Sequence, residues 1–213
     1  MKPLKLILLA SLILGLSACA EKGAMQNQVS RSAPMGTALL GQTPASSFNV
    51  QNLNISVPDS LTVSEANVYY PSADIVWRGD NYGERHQQVK AIFEEGMGRG
   101  LDGLDGNRAI NIDIKVMRFH SLSERARYTV GGVHSITFEM TLHDAQTGAV
   151  VGVPKVINAD FKALGGKKAV ASEHKGITQK VRVLAHLEQV IRHEVLGQQA
   201  IVAKAAVQAL AAE

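Results

Sequence analysis

Histidine and acidic side chains are the groups in this sequence that could bind a metal or move protons, but none completes a known motif. His193-Glu194-Val195-Leu196-Gly197 begins like the helix of a zinc protease, in which a second histidine stands where this chain has Gly197. His186 precedes His193 by two helical turns, about 10 Å, which is too far for both rings to bind one ion. We therefore expect no metal and no cofactor.

A hydrolase could still be assembled from groups that lie far apart in the sequence, and the candidates are His120, His134 and Asp144. Such a site is defined by three-dimensional geometry and not by spacing along the chain. The glycines at positions 96, 98 and 100 lie at the end of a predicted helix and are expected to loosen it, whereas a phosphate-binding loop precedes a helix and uses the amide groups at its N-terminus. We expect no phosphate-binding loop there.

Residues 69–82 have the most unusual local composition. They include the single tryptophan and three of the four tyrosines, and charged residues lie on both sides of the tryptophan. Tyrosine, tryptophan and arginine are favoured at protein interfaces. The segment therefore predicts a binding patch of Tyr69, Tyr70, Trp77, Arg78, Asp80 and Tyr82. The alternative is that the rings fill one end of the core, with Arg78 and Asp80 paired locally.

The only cysteine, Cys19, ends an N-terminal segment that is typical of secretion. Two lysines, at positions 2 and 5, precede an apolar run at 6–14, and small residues follow it. Leu16-Ser17-Ala18-Cys19 resembles the cleavage site of a bacterial lipoprotein signal. The resemblance implies that residues 1–18 are removed as a signal peptide and that Cys19 is the lipid attachment site.

The same segment predicts where the protein is located and what it contacts. A lipid on Cys19 would anchor the mature chain to a membrane, and the absence of aspartate at position 20 resembles the pattern sorted to the outer membrane, facing the periplasm. Without Lys2 and Lys5 the chain has 20 basic and 19 acidic residues. This near-neutral charge gives no reason to expect a nucleic-acid partner.

Composition divides the mature chain into two parts. Residues 19–50 are small and polar without an apolar period, which predicts a lipidated N-terminus and a flexible tether. Residues 51–213 show strand and helix patterns and predict a single globular domain with a long C-terminal helix. With one cysteine, the domain has no intramolecular disulfide.

The order of these patterns predicts the fold class. Apolar spacings of three and four indicate two helices, and alternation indicates four strands, at 53–63, 110–116, 136–142 and 150–157. Polar residues on the opposite face of each strand are typical of an antiparallel sheet with one face in water. We expect an α+β fold: a two-layer sandwich with a mainly antiparallel sheet of about four strands, order β-α-β-β-β-α, and helices on one face.

Several strings support a family resemblance: Asp74-Ile-Val-Trp-Arg-Gly-Asp80, Arg118-Phe-His120, Arg127-Tyr-Thr-Val-Gly-Gly-Val-His-Ser-Ile136 and Asp144-Ala-Gln-Thr-Gly148. Together they resemble an uncharacterised domain family of alphaproteobacterial envelope lipoproteins, over residues 55–197. That family has no established activity, so the resemblance implies no catalytic residues. In element order only, the chain also resembles lipoproteins that accompany envelope transport and assembly systems, and a fold by itself does not define a function.

These observations favour a non-catalytic accessory lipoprotein that binds an envelope protein or its cargo. Two alternatives remain open: a periplasmic hydrolase with a site assembled from scattered residues, and a lipid or small-molecule carrier that uses a gap between helix and sheet. A deep pocket with converging titratable groups would favour the enzyme, a long apolar groove the carrier, and a flat aromatic patch the protein partner.

Replacement of Cys19 tests the lipid anchor. The wild-type protein should sediment with membranes, because several acyl chains hold a protein firmly. Cys19→Ala should instead appear in the soluble fraction or keep its signal peptide, whereas Ser17→Ala should fractionate like the wild type. Membrane fractionation and the mass of the mature N-terminus measure the outcome. A wild-type protein that is soluble and starts at another residue would contradict the prediction.

Overall fold

The computed structural model describes residues 47–211. The predicted signal peptide, Cys19 and most of the predicted tether lie outside the described residues, as do residues 212–213. The described chain contains six strands and four helices: β1 (Phe48–Ser56), β2 (Ile75–Val76), α1 (Arg85–Leu101), β3 (Arg108–His120), α2 (Glu124–Arg127), β4 (Gly132–Asp144), β5 (Val150–Asn158), β6 (Phe161–Ala163), α3 (Gly166–Glu173) and α4 (Gln179–Leu210). Within this range no helix is both long and apolar enough to cross a bilayer.

The strands form a mixed sheet in the order β1-β3-β4-β5. β3, β4 and β5 are antiparallel neighbours, whereas β1 runs parallel to β3. A parallel pair needs a crossover connection, and α1 provides it between β1 and β3. β2 pairs with the last residues of β3, and β6 with the first residues of β4. The predicted α+β class is confirmed. The first predicted strand is present as β1, and it pairs in parallel with β3. The short elements β2, β6, α2 and α3 are additions to the predicted order.

One face of the sheet carries the hydrophobic core. Alternate residues of β3 are buried, and register pairing places their partners in β4 on the same face: Ile112 faces Leu142, and Ile114 faces Met140. α1 and α4 cover this face, and Phe93 of α1 packs edge-on against Phe138 of β4. The alternate β3 residues at positions 113 and 115 are exposed on the opposite face. The predicted single layer of helices is therefore present.

Two of the three glycines near the end of α1, Gly96 and Gly100, let this helix pack closely against α4. A side chain at Gly96 would lie 3.1 Å from the Leu184 carbonyl oxygen of α4, and one at Gly100 would lie 2.4 Å from the Glu188 carbonyl oxygen. The two backbones therefore approach more closely than side chains would allow. Gly98 faces open space, and a methyl group added there would meet no atom within 4 Å. The helix continues to Leu101 through all three glycines, although the sequence predicted that they loosen its end.

Two boundaries differ from the sequence patterns. β1 ends at Ser56, before Pro58, and residue 63 forms only an isolated bridge with Ile75. Proline lacks the amide that a continued ladder would require. In α4, Gly197 lies inside a continuous helix of 32 residues and does not end it. Packing of the preceding turns against the core holds this helix together despite the low helix propensity of glycine.

Alanine substitutions at Gly100 and Gly98 test the helix contact. Gly100→Ala should lower the free energy of unfolding by about 1–3 kcal/mol, because the new methyl group overlaps α4. Gly98→Ala should raise it by up to about 1 kcal/mol, because alanine is the better helix former and meets no neighbour. Urea unfolding of both variants measures the difference. Equal effects at the two positions would show that close helix packing is not the reason for these glycines.

Candidate functional site: the tyrosine end of the sheet

All four tyrosines of the chain lie at the end of the sheet where β3 finishes and β4 begins. We call this region, formed by residues 63–83, residues 124–128 and the first turns of α1 and α4, the tyrosine end. Tyr70 is 88% exposed and Tyr82 is 84% exposed, while Tyr69 and Tyr128 are partly covered. Large aromatic surfaces in water are the kind of feature that marks an interaction site.

Trp77 does not belong to this exposed set. Its side chain is 1% exposed and packs edge-on against Phe119 of β3, with 5.4 Å between the ring centroids. A Cβ atom at Gly79 would lie 2.3 Å from the indole ring, so the ring packs directly on the glycine backbone. Of the six residues predicted as a patch, Trp77 therefore serves the core and supports the loop that carries the tyrosines.

Asp80 connects this loop to α4. Its carboxylate accepts a 2.8 Å hydrogen bond from Trp77 Nε1 and another of 2.8 Å from Lys180 Nζ. Burial alone would raise the pKa of Asp80, but the bonds from Lys180 and Trp77 outweigh it and lower the pKa. Asp80 does not cap α1, because the residue before that helix is Glu84, which makes no side-chain cap. Asp80 therefore links the loop before α1 to the first turn of α4.

Glu65 organises the second half of the same loop. It pairs with Arg78 at 2.6 Å and with Arg85 at 2.7 Å, so Arg78 is not paired with Asp80 as the local alternative expected. The hydrogen bond from Arg85 is the main reason that the pKa of Glu65 is lowered, although burial opposes it. Arg85 is buried and also donates to the Asn81 carbonyl oxygen at 3.2 Å. These bonds hold residues 65–85 in one conformation.

Three of the four tyrosine rings lie under a guanidinium group. Arg125 lies 4.8 Å from the ring centroid of Tyr69, Arg85 lies 5.7 Å from that of Tyr82, and Arg127 lies 5.5 Å from that of Tyr128. Such cation–π contacts restrict the rings and add positive charge next to apolar surface. The tyrosine end is therefore a preorganised aromatic surface. Arg125 is exposed on it, whereas Arg85 and Arg127 are buried and paired with Glu65 and Glu173.

A small polar cavity lies beneath α3, beside the tyrosine end. It is lined by the side chains Arg127, His134, Leu164, Ala169, Ser172, Glu173, Ile177, Gln179 and Arg182, and its volume is about 10 Å³. His134 Nδ1 and Ser121 Oγ form a 2.7 Å hydrogen bond in its wall, and both residues are buried. Burial lowers the pKa of His134 to about 3, and the nearby positive charges of Arg182 and Arg127 add to the effect.

The three candidates for a hydrolase do not converge. His134 is buried near the start of β4, whereas Asp144 is the last residue of that strand, about 33 Å away at 3.3 Å per residue. Asp144 accepts hydrogen bonds from Gln146 and Thr147 of its own hairpin loop. His120 bonds to the Pro71 carbonyl oxygen at 2.9 Å. A histidine with a pKa of about 3 is also too weak a base to activate Ser121 near neutral pH.

The two histidines of α4, His186 and His193, have different surroundings. His186 is half-buried, stacks on Phe161 with 4.2 Å between ring centroids, and bonds to the Ala159 carbonyl oxygen at 3.0 Å. Its ring is therefore packed against the domain, whereas His193 is exposed. Residues 47–211 contain no group of three histidine, cysteine or acidic side chains that could hold a metal ion.

Several residues of this region carried no signal in the sequence. Glu65, Arg85 and Lys180 were not singled out, although they hold the tyrosine loop, and neither was the cavity residue Gln179. Arg127 was noted only as part of a string that supports the family resemblance. Glu65 lies in a loop, and Arg85, Lys180 and Gln179 lie in helices that the apolar spacing predicted. The one available signal was Tyr128, the fourth tyrosine, which lies outside the aromatic segment 69–82.

A family model, described as a family of unknown function (DUF6778), matches residues 48–211. Among solved structures the chain is similar to a Xanthomonas campestris protein of family DUF330, with 14% identity, a TM-score of 0.47, and 78% of this chain and 90% of that chain covered. It is also similar to a Caulobacter crescentus protein described as a candidate lipoprotein, with 17% identity, a TM-score of 0.33, and 52% and 83% covered. No curated protein matches the sequence.

The buried, neutral state of His134 predicts how stability depends on pH. The ring has a pKa of about 3 in the folded chain and an ordinary value of 6.5 when unfolded, so the unfolded chain binds the extra proton between these values. Stability is therefore complete above pH 6.5 and falls as the pH drops toward 3, by about 1.4 kcal/mol per pH unit. Between pH 7 and pH 5 this amounts to about 2 kcal/mol.

A non-titrating variant isolates this contribution. His134→Asn should lose most of the pH dependence between pH 7 and pH 5, whereas His174→Asn, at an exposed position, should keep it. Urea unfolding at both pH values measures the difference for each protein. The pKa of His186 is also lowered by burial, so a weaker dependence of the same sign should remain. Unchanged pH dependence in His134→Asn would contradict the assignment.

Proposed function

The chain belongs to the DUF6778 family, and from that premise we propose that it is a lipid-anchored, non-catalytic accessory protein of the cell envelope that binds an envelope protein through its tyrosine end. The observation that carries the proposal is the position of all four tyrosines, exposed together at one end of the sheet. The anchor is Cys19, in the outer membrane and facing the periplasm.

The direction of the chain supports this arrangement. Phe48 pairs with Arg108, the first residue of β3, whereas the tyrosine end adjoins His120, the last residue of that strand. Twelve steps along a strand span about 40 Å. The first strand of the described residues therefore starts at the end of the sheet opposite to the tyrosines, and the chain does not enter the sheet through the tyrosine end.

The chemistry of the tyrosine end suits a protein partner. Tyr70 and Tyr82 offer large apolar rings with a hydroxyl group, at a low entropic cost because each has few rotatable bonds. Arg125 adds an exposed positive charge beside the ring of Tyr69, whereas Arg127 beside Tyr128 is buried and paired with Glu173. A partner surface that presents apolar side chains and carboxylates would complement this composition.

The structure favours this function over the two alternatives. The hydrolase candidates are separated, and the basicity of His134 is too low for general-base catalysis. A carrier would need space between the helices and the sheet, but Phe93 and Met97 of α1 and Leu187 and Ile191 of α4 are fully buried there in one cluster. Close packing of the described residues at this interface favours a binding protein.

Photocrosslinking in native membranes tests the proposed partner surface. A crosslinking amino acid at Tyr70 or Tyr82 should capture a specific envelope protein. The same amino acid at Gln146, an exposed residue of the hairpin at the opposite end, should not. The amount of partner that co-purifies with the double variant Tyr70→Ala/Tyr82→Ala should be at least tenfold lower than with the wild type. Its thermal stability should remain near that of the wild type, because both side chains are exposed.

Capture at Gln146 with the same yield and the same partner would contradict the assigned surface. So would a double variant that still co-purifies the partner at the wild-type level. Capture of only cytoplasmic proteins would contradict the proposed location.

A further inference from the structure

We propose that the cavity beneath α3 binds one oxygen atom of an oxyanion, such as a carboxylate or phosphate group, at the N-terminus of α4. This inference goes beyond the proposed function, because it concerns a separate site. It rests on an unpartnered amide donor, an uncompensated positive charge and the first turn of a long helix, all of which meet in one cavity.

The unpartnered donor is the side chain of Gln179. This residue is 6% exposed and lines the cavity, and its Nε2 atom is buried without a hydrogen-bond partner among the described residues. A buried amide group that makes no hydrogen bond is costly, and native structures nearly always satisfy such groups. A ligand atom that accepts hydrogen bonds would remove the deficit.

The charges around the cavity favour an anion as that ligand. Two arginines, Arg127 and Arg182, line it together with one acid, Glu173, which pairs with Arg127. Arg182 also donates from Nη2 to the Lys162 carbonyl oxygen at 2.7 Å. His134, the remaining titratable group in the lining, is neutral at pH 7. One positive charge is therefore uncompensated within the lining.

The first turn of α4 adds to this preference. Gln179 is the first residue of the helix, whose first turn contains no acidic side chain. The capping residue Thr178 accepts from the amide of Val181 with its side chain and from the amide of Arg182 with its carbonyl oxygen. The N-terminus of a helix carries a partial positive charge and amide donors that stabilise anions. A helix of 32 residues has a fully developed dipole at this end.

The size of the cavity limits what enters. A volume of about 10 Å³ accommodates one oxygen-sized atom and not a complete phosphate group. The remainder of the oxyanion therefore lies outside the cavity. Because Nε2 itself has almost no accessible surface, the Gln179 side chain must rotate slightly to donate to the one oxygen that enters. Carboxylate and phosphate share this geometry, and a single water molecule is the competing occupant.

Thermal unfolding of the purified full chain tests the proposal. Sodium phosphate and sodium acetate are titrated separately at pH 7, with sodium chloride added to keep the ionic strength constant. At least one of them should raise the Tm by several degrees in a saturating manner, because a ligand that binds only the folded state stabilises it. Sodium chloride alone should give no saturating rise.

Gln179→Leu supplies the decisive variant. Because Nε2 makes no hydrogen bond in the ligand-free protein, this variant should have an unchanged or higher Tm without added oxyanion. The saturating response should disappear, or its midpoint should move to at least tenfold higher concentration. Gln189→Leu, the same replacement at an exposed position of α4, should keep the wild-type response.

Three results would overturn the proposal. The first is a wild-type protein whose Tm does not rise in a saturating manner with phosphate or acetate, which would indicate a water molecule in the cavity. The second is an equal rise with chloride at the same ionic strength. The third is a full oxyanion response in Gln179→Leu.

Discussion

Helix α1 lies so close to α4 that a Cβ atom at Gly100 would overlap the Glu188 carbonyl oxygen, and one at Gly96 would be crowded by the Leu184 carbonyl oxygen. This close contact sets how far the two helices are from each other and how they are aligned along their axes. It also aligns the first turn of α4 with the loop before α1, so that Lys180 reaches Asp80 and Gln179 reaches the cavity. The core, the tyrosine end and the cavity therefore all depend on one backbone contact.

The tyrosine end shows how buried polar bonds support an exposed surface. Trp77 fills the core below the loop, and its Nε1 atom is bonded to Asp80, which in turn binds α4. Glu65 and Arg85 hold the rest of the loop. Because these bonds are partly shielded from water, they order the loop more effectively than surface pairs would. The rings of Tyr70 and Tyr82 are thus exposed on a rigid support, which lowers the entropic cost of binding a partner.

Histidine, serine and acidic residues near one another suggest catalysis only when their protonation states are suitable. Ser121 and His134 are hydrogen-bonded, but two arginines and burial keep the imidazole neutral and weakly basic. The same positive environment that makes the pair unsuitable for catalysis makes the adjacent cavity suitable for an anion. One electrostatic environment therefore accounts both for the low basicity of His134 and for the preference of the cavity for an anion.

The sequence by itself determined the elements whose buried face repeats regularly. Alternation marked β3 and β4, and the three-and-four spacing marked α1 and α4, because each records locally which side chains avoid water. β5 was marked by the hairpin loop before it, and only Val151 and Ile157 of that strand are buried. It also marked residues 69–82 as unusual. The parallel pairing of β1, the pairs Glu65–Arg85 and Asp80–Lys180, and the burial of Trp77 were decided by the tertiary structure alone. These features join residues that are distant in the chain, and local patterns contain no information on which distant residues meet. The role of Gly96 and Gly100 could not be predicted for the same reason, because it is defined by the backbone of α4 and not by their neighbours in the sequence.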